Sequence, residues 1–348
     1  MAYGTVNADV IGTSVAGSNL GAGNASIMKN RIINGAMVID QRNAGASVTP
    51  TDGQYTLDRW IARVSAASKY SVQQNAGSVT LPVGFTNYLG VTSLSSYSIS
   101  SSDYLSIWQI VEGFNTADLG WGTANAKTIT LSFQVYSSLT GTFGGAIKNS
   151  ASSYSYSFTY SIPVANTWTT ISVTIAGPTA GTWLTTNGKG ISLIFSLGVG
   201  SANTTTAGSW QAADSWGPTG ATSVVGTNGA TFYITGVQLE VGSSATGFEY
   251  VNYQTSLANC QRYCQKTPSI DNEFYGITTA SNVINFRLLC EMRTSPTITT
   301  QPTFTLANAT GAALAALGSN NILFSATVST NAYTRLRCST DGIISAEL

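Results

Sequence analysis

Four tryptophans stand in loops or at the ends of strand-like segments. Trp210 and Trp216 lie in a loop rich in glycine and serine, whereas Trp121 and Trp183 lie beside glycines. An exposed indole ring can stack on the apolar face of a pyranose ring, while nearby amides and hydroxyls bond the sugar hydroxyls. Because loops often carry binding residues, these four side chains are predicted glycan contacts. Burial between subunits of an oligomer is the alternative.

The acidic residues do not suggest a catalytic pair. A glycosidase needs two carboxylates a few ångströms apart, one of them with a raised pKa, and nothing in the spacing of Asp103, Glu112 and Asp214 singles out such a pair. The chain contains no histidine, so it lacks the commonest general base and the commonest transition-metal ligand. We therefore expect a protein that is not an enzyme and needs no cofactor or metal.

The composition limits the classes of partner. Charged residues make up 9% of the chain, against about 25% in ordinary soluble proteins. Fifteen basic and fifteen acidic residues cancel, so no long-range field attracts nucleic acid or anionic lipid. No apolar run is long enough to span a bilayer, and we recognise no secretory signal at the N-terminus. A nearly uncharged surface favours a permanent oligomer.

The four cysteines all lie in the last quarter of the chain. Their spacing fits neither a zinc ribbon nor a dense disulfide framework. We predict that they are reduced core thiols, with a disulfide bridge as the alternative; they are Cys260, Cys264, Cys290 and Cys338.

Strand patterns dominate the chain from residue 30 to about residue 250. Apolar and polar residues alternate in short segments rich in β-branched and aromatic side chains, separated by clusters of Gly, Ser, Asn and Pro. The clearest segments begin at Ser106, Lys127, Ser153, Thr167, Gly190 and Ala230. This pattern predicts an all-β fold, an antiparallel jelly-roll sandwich with long loops.

The pattern also predicts which side chains in these strands are buried and which strand face they occupy. Trp60 begins a strand beside an aliphatic residue, which favours a core position over a ligand platform. Asp58 and Arg59 are adjacent in the same predicted strand and so point to opposite faces. Tyr154, Tyr156 and Tyr160 share one strand face, which we interpret as an exposed surface or a subunit interface.

The chain divides into four predicted regions. Residues 1–28 are rich in small residues and show no sustained period, which predicts an extended arm, or else a frayed terminus. Residues 29–250 form the sandwich, and residues 251–268 form a linker helix because apolar residues in TSLANCQRYCQK recur at helical spacing. Residues 269–348 return to strand patterns and predict a smaller C-terminal β domain, which packing against other subunits would stabilise. The arm is predicted to attach to a larger particle through Tyr3, Val6, Val10 and Ile11.

Segments at both ends of the predicted sandwich carry a family resemblance. NRIINGAMVIDQRNAGASVTPTDGQYTLDRW (residues 30–60) resembles the opening of a family of phage virion proteins, usually tail-fibre or related surface proteins. FYITGVQLEVGSSATGFEYVNYQTSLANCQRYCQK (residues 232–266) is similar to the segment that closes the same domain. FRLLCEMRTSPTIT (residues 286–299) and the terminal ISAEL resemble the distal domain of such proteins.

The resemblance implies a structural component of a phage virion. It implies a jelly roll similar to carbohydrate-binding modules, a homotrimer, and a position on the particle surface after assembly in the host cytoplasm. The leading function is then a tail fibre or fibre tip that attaches by its N-terminus and binds host-surface glycans. The alternative is a capsid decoration or head-fibre protein. Some jelly rolls of this kind bind a structural calcium, for which Glu240 is a candidate, although the period-two pattern favours a solvated Glu240.

Overall fold

A computed structural model describes residues 28–348, so the predicted attachment residues Tyr3, Val6, Val10 and Ile11 lie outside the described part. Within it the protein is all-β, with antiparallel pairing in every large sheet and a single α-helix. The predicted fold class, an antiparallel jelly-roll sandwich followed by a short helix and further strands, is confirmed. Across residues 28–348 no helix has both the length and the apolar character needed to cross a membrane.

The strands of the sandwich region follow one another closely along the chain. They are β1 (Tyr55–Leu57), β2 (Trp60–Val64), β3 (Tyr70–Gln74), β4 (Leu89–Ser93), β5 (Tyr104–Glu112), β6 (Ile129–Ser137), β7 (Gly141–Lys148), β8 (Ser155–Ile162), β9 (Thr169–Ile175), β10 (Lys189–Val199), β11 (Thr204–Thr205), β12 (Trp210–Gln211), β13 (Gly217–Pro218) and β14 (Thr231–Val241). Short 3-10 helices span Ala76–Ser78, Gly113–Asn115, Ala117–Leu119 and Ser201–Asn203. The six strongest strand predictions correspond to β5, β6, β8, β9, β10 and β14.

The remaining elements lie after residue 250. They are helix α1 (Tyr253–Gln261) and strands β15 (Cys264–Lys266), β16 (Asp271–Gly276), β17 (Ser281–Arg287), β18 (Thr297–Thr300), β19 (Phe304–Ala307), β20 (Ala309–Ala316), β21 (Asn321–Val328), β22 (Ala332–Cys338) and β23 (Ile343–Ser345). The helix is shorter than predicted because Cys264–Lys266 pairs with Ile343–Ser345 as a strand. Asn252 caps α1 by accepting a hydrogen bond from the Thr255 backbone N–H at 2.8 Å.

The described chain forms two compact units. The first comprises the described residues up to Val38, Gly45–Thr56 and Trp60–Tyr250. The second comprises Ile39–Ala44, Leu57–Arg59 and Val251–Leu348. The sequence assigned the whole of residues 29–250 to the sandwich, so the membership of these two short segments in the second unit was not predicted.

The first unit is a sandwich of a seven-stranded sheet, β1-β2-β5-β10-β7-β8-β12, and a five-stranded sheet, β3-β4-β14-β6-β9. An aromatic core joins them: the Phe133 ring lies 5.2 Å from Phe195 and 5.0 Å from Tyr160. Trp60 is fully buried beside Phe195, which confirms its predicted core position. Tyr160 was predicted to be exposed or at an interface, and this is wrong, because Phe133 of the opposite sheet covers it.

The opening and closing motifs of the resemblance meet in this unit. The Asn30 side chain donates to the Val237 carbonyl at 3.0 Å, and the Arg31 backbone N–H donates to the Leu239 carbonyl at 2.9 Å. Asn34 and Gly35 lie in a turn, in which Asn34 has a φ of 59°. Gly35 lies so close to Val237 that a β-carbon at this position would meet the Val237 carbonyl oxygen.

The second unit contains three small sheets around its own core. They are β15-β23-β18, β16-β22-β19 and β17-β21-β20, and buried Phe324, Leu336 and Ile344 belong to the hydrophobic cluster among them. The four cysteines are free thiols, three of them buried and Cys290 half-buried. The reduced state predicted from their spacing is therefore observed, although Cys290 is not a core residue.

A buried ionic network orders this second unit. Asp58 and Arg59 form the turn after β1, not a strand, and Arg59 has a φ of 71°. The Glu347 carboxylate pairs with Arg59 and, at 2.8 Å, with Arg42. The Asp58 carboxylate accepts hydrogen bonds from the backbone and side chain of Gln41, at 2.6 and 2.7 Å. Buried charges persist in folded proteins only when paired in this way.

Candidate functional site

Three of the four predicted glycan contacts form one aromatic cluster in the first unit. The Trp121 ring centroid lies 4.7 Å from Trp183 and 5.4 Å from Trp210, and the Trp183 and Trp210 centroids are 5.5 Å apart. All three pairs meet edge to face, an arrangement that the ring quadrupoles favour. We call these three residues the tryptophan cluster.

Different elements contribute the three rings, and backbone hydrogen bonds fix each one. Trp121 precedes β6, Trp183 lies between β9 and β10, and Trp210 begins β12. Their indole N–H groups donate to the carbonyls of Lys127, Ala180 and Ala176, at 2.9, 3.1 and 2.7 Å respectively. Because every indole N–H is already bonded, the rings are held in place and offer a ligand their surfaces instead of donors.

Strand β8 and the residue before it extend the cluster with two tyrosines. Tyr154 lies parallel to Trp210, with an interplanar angle of 4° and 5.9 Å between centroids, and the Tyr156 ring is 5.3 Å away from Trp210. Tyr156 and Trp210 are also cross-strand partners. Tyr156 lies at the start of β8 and Tyr154 just before the strand, and both are half-exposed, whereas Tyr160 further along β8 is buried.

The aromatic rings in and around the cluster differ in solvent exposure. Trp121 is only 7% exposed, whereas Trp183, Trp210, Tyr154 and Tyr156 are half-buried. The two tyrosine hydroxyls have no hydrogen-bond partner among residues 28–348. Burial raises the pKa of Tyr156, so its hydroxyl stays neutral and can both donate and accept. The surface thus combines flat rings with free hydroxyls.

Asn149 links two loops beside this surface. Its side-chain oxygen accepts from the backbone N–H groups of Ser153 and Tyr154, at 3.0 and 3.2 Å, and its amide nitrogen donates to the Thr182 carbonyl at 3.2 Å. Asn149 therefore fixes Tyr154 relative to the residue that precedes Trp183. No local sequence pattern indicates this role, because the residues that Asn149 joins are about 30 positions apart along the chain.

Trp216 does not belong to the tryptophan cluster. Trp216 is 7% exposed, and its ring packs on Trp108 and Tyr104 of β5, with a centroid distance of 4.4 Å to each. The loop that carries Trp216 folds back over the sheet, and the Ser196 hydroxyl donates to the Trp216 carbonyl at 2.7 Å. The prediction that Trp216 contacts a glycan is therefore not supported by its position, because its ring is enclosed.

The buried side chain of Lys148 lies between Trp108 and Trp216. The Lys148 ammonium lies 4.5 Å from the Trp108 centroid and 4.3 Å from the Trp216 centroid, and pairs with Asp214 at 2.6 Å. Desolvation lowers the pKa of Lys148 to about 8, although the hydrogen bond and charge of Asp214 oppose this effect. Lys189 and Arg63 add repulsion in the same direction. The Lys148 side chain is 1% exposed, so its role is structural.

This lowered pKa predicts how stability depends on pH. An unfolded lysine keeps its proton up to pH 10.5, whereas folded Lys148 begins to release it near pH 8. The unfolded state thus binds more protons between these values, so the free energy of unfolding rises with pH by up to about 1.4 kcal/mol per pH unit. Lys189, whose pKa is also lowered by burial, contributes with the same sign.

Urea denaturation between pH 7.5 and 9.5 tests this prediction. Lys148→Met keeps an apolar chain between the two indoles and leaves the half-exposed Asp214 solvated, and we expect it to flatten the pH dependence. An equally steep rise in the variant would show that Lys148 is not its source.

Asp103 and Asp214, two of the acidic residues considered from the sequence, make separate contacts. Asp103 binds Ser65 and Tyr97 through its side chain, and although burial opposes it, hydrogen bonding lowers the pKa of Asp103. Asp214 pairs with Lys148. Residues 28–348 contain no group of three or more acidic or cysteine side chains placed to hold a metal ion.

Glu240 is not solvated, contrary to the favoured prediction, because it is 1% exposed. Its carboxylate accepts hydrogen bonds from the Thr246 backbone and hydroxyl and from Gln238, at 2.8, 2.6 and 2.9 Å. Through these three hydrogen bonds the Glu240 carboxylate stabilises the turn after β14. The sequence predicted either a calcium ligand or a solvated side chain, and neither describes this role.

Comparisons with known proteins give only distant likenesses. No protein-family model and no curated protein matches the chain. The structure is similar to the enzymatically active domain of tailspike protein 4 of bacteriophage CBA120 (12% identity, TM-score 0.32), covering 61% of this chain and 21% of that chain. The chain thus spans about a fifth of the length of that tailspike domain.

Two sugar-related structures are similarly distant. One is a putative sugar binding protein from Bacteroides thetaiotaomicron (12% identity, TM-score 0.34), with 62% of this chain and 100% of that chain covered. The other is the family 11 carbohydrate-binding module of a Clostridium thermocellum cellulosomal cellulase (14% identity, TM-score 0.28), with 59% and 100% covered. With TM-scores below 0.5, these likenesses carry no inference about function.

Proposed function

We propose that this protein binds carbohydrate at the surface formed by Trp183, Trp210, Tyr154 and Tyr156. One observation carries the proposal: loops and strands distant in sequence bring these aromatic rings together and leave them half-exposed at the surface. Rings needed only for stability would be expected in the core, where Phe133 and Phe195 already lie. Pre-ordered rings lose little conformational entropy when a sugar stacks on them.

The aromatic surface favours uncharged sugars. The groups that form it are indole rings, phenol rings and hydroxyls. The charged groups of Lys148 and Asp214 pair with each other beside Trp216 and do not belong to this surface. Stacking and hydroxyl hydrogen bonds would supply the affinity, and none of these four side chains is a carboxylate, which glycoside hydrolysis requires. We therefore propose a binding protein and not an enzyme.

We further propose that the chain is a surface component of a phage virion, most specifically a tail fibre or fibre tip. The sequence resemblance at residues 30–60, 232–266 and 286–299 supports this role, and with it a homotrimer attached to other virion proteins by residues 1–28. Glycan binding suits a protein that recognises a host surface. A second candidate is a capsid decoration or head-fibre protein, to which the same sequence resemblance extends.

Two experiments test these proposals. Purified protein, added to host cells before the phage, should reduce phage adsorption if it is the host-binding fibre, and the Trp183→Ala/Trp210→Ala variant should not. Immunogold labelling of virions with an antibody against residues 29–250 should mark the tail. Gold over the head, together with unchanged adsorption, would contradict the fibre role and support decoration.

A further inference from the structure

The second unit presents two exposed tyrosines side by side on one sheet face. Tyr275 of β16 and Tyr333 of β22 are directly opposed across the strands and are 64% and 75% exposed. Their rings contact each other at 5.7 Å with an interplanar angle of 82°. The core of the unit does not need them, because Leu336 and Phe274 of the same strands supply the buried face. We call Tyr275 and Tyr333 the tyrosine pair.

A row of charged residues continues the same face along the strands. Glu273 opposes Arg335 and Asp271 opposes Arg337 in the strand register. Arg335 Nε donates to Asp271 at 2.7 Å and lies 3.7 Å from Glu273, and the hydrogen bond from Arg335 lowers the pKa of Asp271. These four side chains form an ion-pair row along the exposed face, with two acidic and two basic groups.

From this placement we propose that the tyrosine pair and the adjacent ion-pair row form a second binding site, specific for neutral saccharides. Exposed phenol rings provide stacking surfaces for the apolar faces of sugar rings. The carboxylates and guanidinium groups of the ion-pair row provide acceptors and donors for sugar hydroxyls along the strand direction. The absence of net charge on the face disfavours polyanions, which need an excess of basic groups. This site lies in the second unit and does not depend on the tryptophan cluster.

Two sites on one chain would act together on a repeating polysaccharide. Where one polysaccharide reaches both sites, binding at one site raises the effective concentration of ligand at the other, so two weak sites produce a larger overall affinity. The second site therefore increases retention on a glycan-coated surface.

Saturation-transfer NMR on the full chain tests the proposal, with maltohexaose, cellohexaose, chitohexaose and mannohexaose as probes. The Trp183→Ala/Trp210→Ala variant isolates the second site, and we expect it to retain transfer to at least one probe. Adding Tyr275→Ser and Tyr333→Ser to that variant should reduce the transfer about tenfold, whereas adding Tyr253→Ser, which replaces a similarly exposed tyrosine in α1, should not.

Three results would overturn the second site. The first is an absence of transfer from the Trp183→Ala/Trp210→Ala variant to all four probes. The second is unchanged transfer after the tyrosine substitutions. The third is a loss of oligomer mass in sedimentation equilibrium caused by the same substitutions, which would place the tyrosine pair between copies of the chain. None of these results bears on the tryptophan cluster, which is judged by comparing wild type with Trp183→Ala/Trp210→Ala.

Discussion

Glu347→Ala is expected to destabilise the second unit by about 3–5 kcal/mol, since removing one member of a buried ion pair leaves its partner's charge uncompensated. Glu347 pairs with Arg59, whose side chain is 1% exposed, and with Arg42, whose side chain is 11% exposed. The Arg59 guanidinium also lies 3.6 Å from the centre of the Tyr263 ring, so it has little room to turn toward water.

The distribution of tryptophan allows this effect to be assigned to one unit. All seven tryptophans lie in the first unit, so their fluorescence reports on the sandwich alone, while far-UV circular dichroism reports on both units. In urea, Glu347→Ala should show an early dichroism transition that precedes the fluorescence change. Glu291→Ala, which removes an exposed carboxylate bonded to Ser319, is the control. A loss below about 1 kcal/mol would mean that the network is not essential.

Trp216→Ala is expected to lower the free energy of unfolding of the sandwich by about 3–5 kcal/mol, the usual cost of removing a large buried side chain. The enclosed ring packs on Trp108 and Tyr104 and covers Lys148. The more conservative Trp216→Phe should keep the loop in place and leave carbohydrate affinity within about twofold of wild type.

The matched comparison is Trp183→Ala, which removes a half-buried ring of the tryptophan cluster. This variant should lose affinity while costing less stability, so the two substitutions separate binding from packing. Fluorescence-monitored urea unfolding and sugar titration of both variants provide the measurement. If Trp216→Phe abolished binding in a stably folded protein, Trp216 would be a ligand contact after all.

The strands of the sandwich could be predicted because alternation of apolar and polar residues is a local property. The segments beginning at Ser106 and Ala230 became β5 and β14 for this reason. The same alternation placed Tyr160 and Tyr154 on one face but could not show where the opposite sheet ends. That boundary makes Tyr160 a core residue and leaves Tyr154 at the candidate site.

Contacts between distant segments explain the other differences. Trp210 and Trp216 lie in one glycine-rich loop and look equivalent in sequence, yet the loop folds back over the sheet at Trp216 only. In the same way, the segment containing Arg42 belongs to the second unit because its ion-pair partner is Glu347, 305 residues later. No local pattern encodes pairings over such separations.

The most direct test of carbohydrate binding at the tryptophan cluster is a measurement of affinity for an immobilised panel of purified bacterial surface polysaccharides. The wild type should bind at least one of them. Trp183→Ala/Trp210→Ala should bind it about tenfold or more weakly, with Trp216→Phe close to wild type. Equal affinity of the wild type and Trp183→Ala/Trp210→Ala, or no binding by the wild type to any member of the panel, would contradict the proposed function.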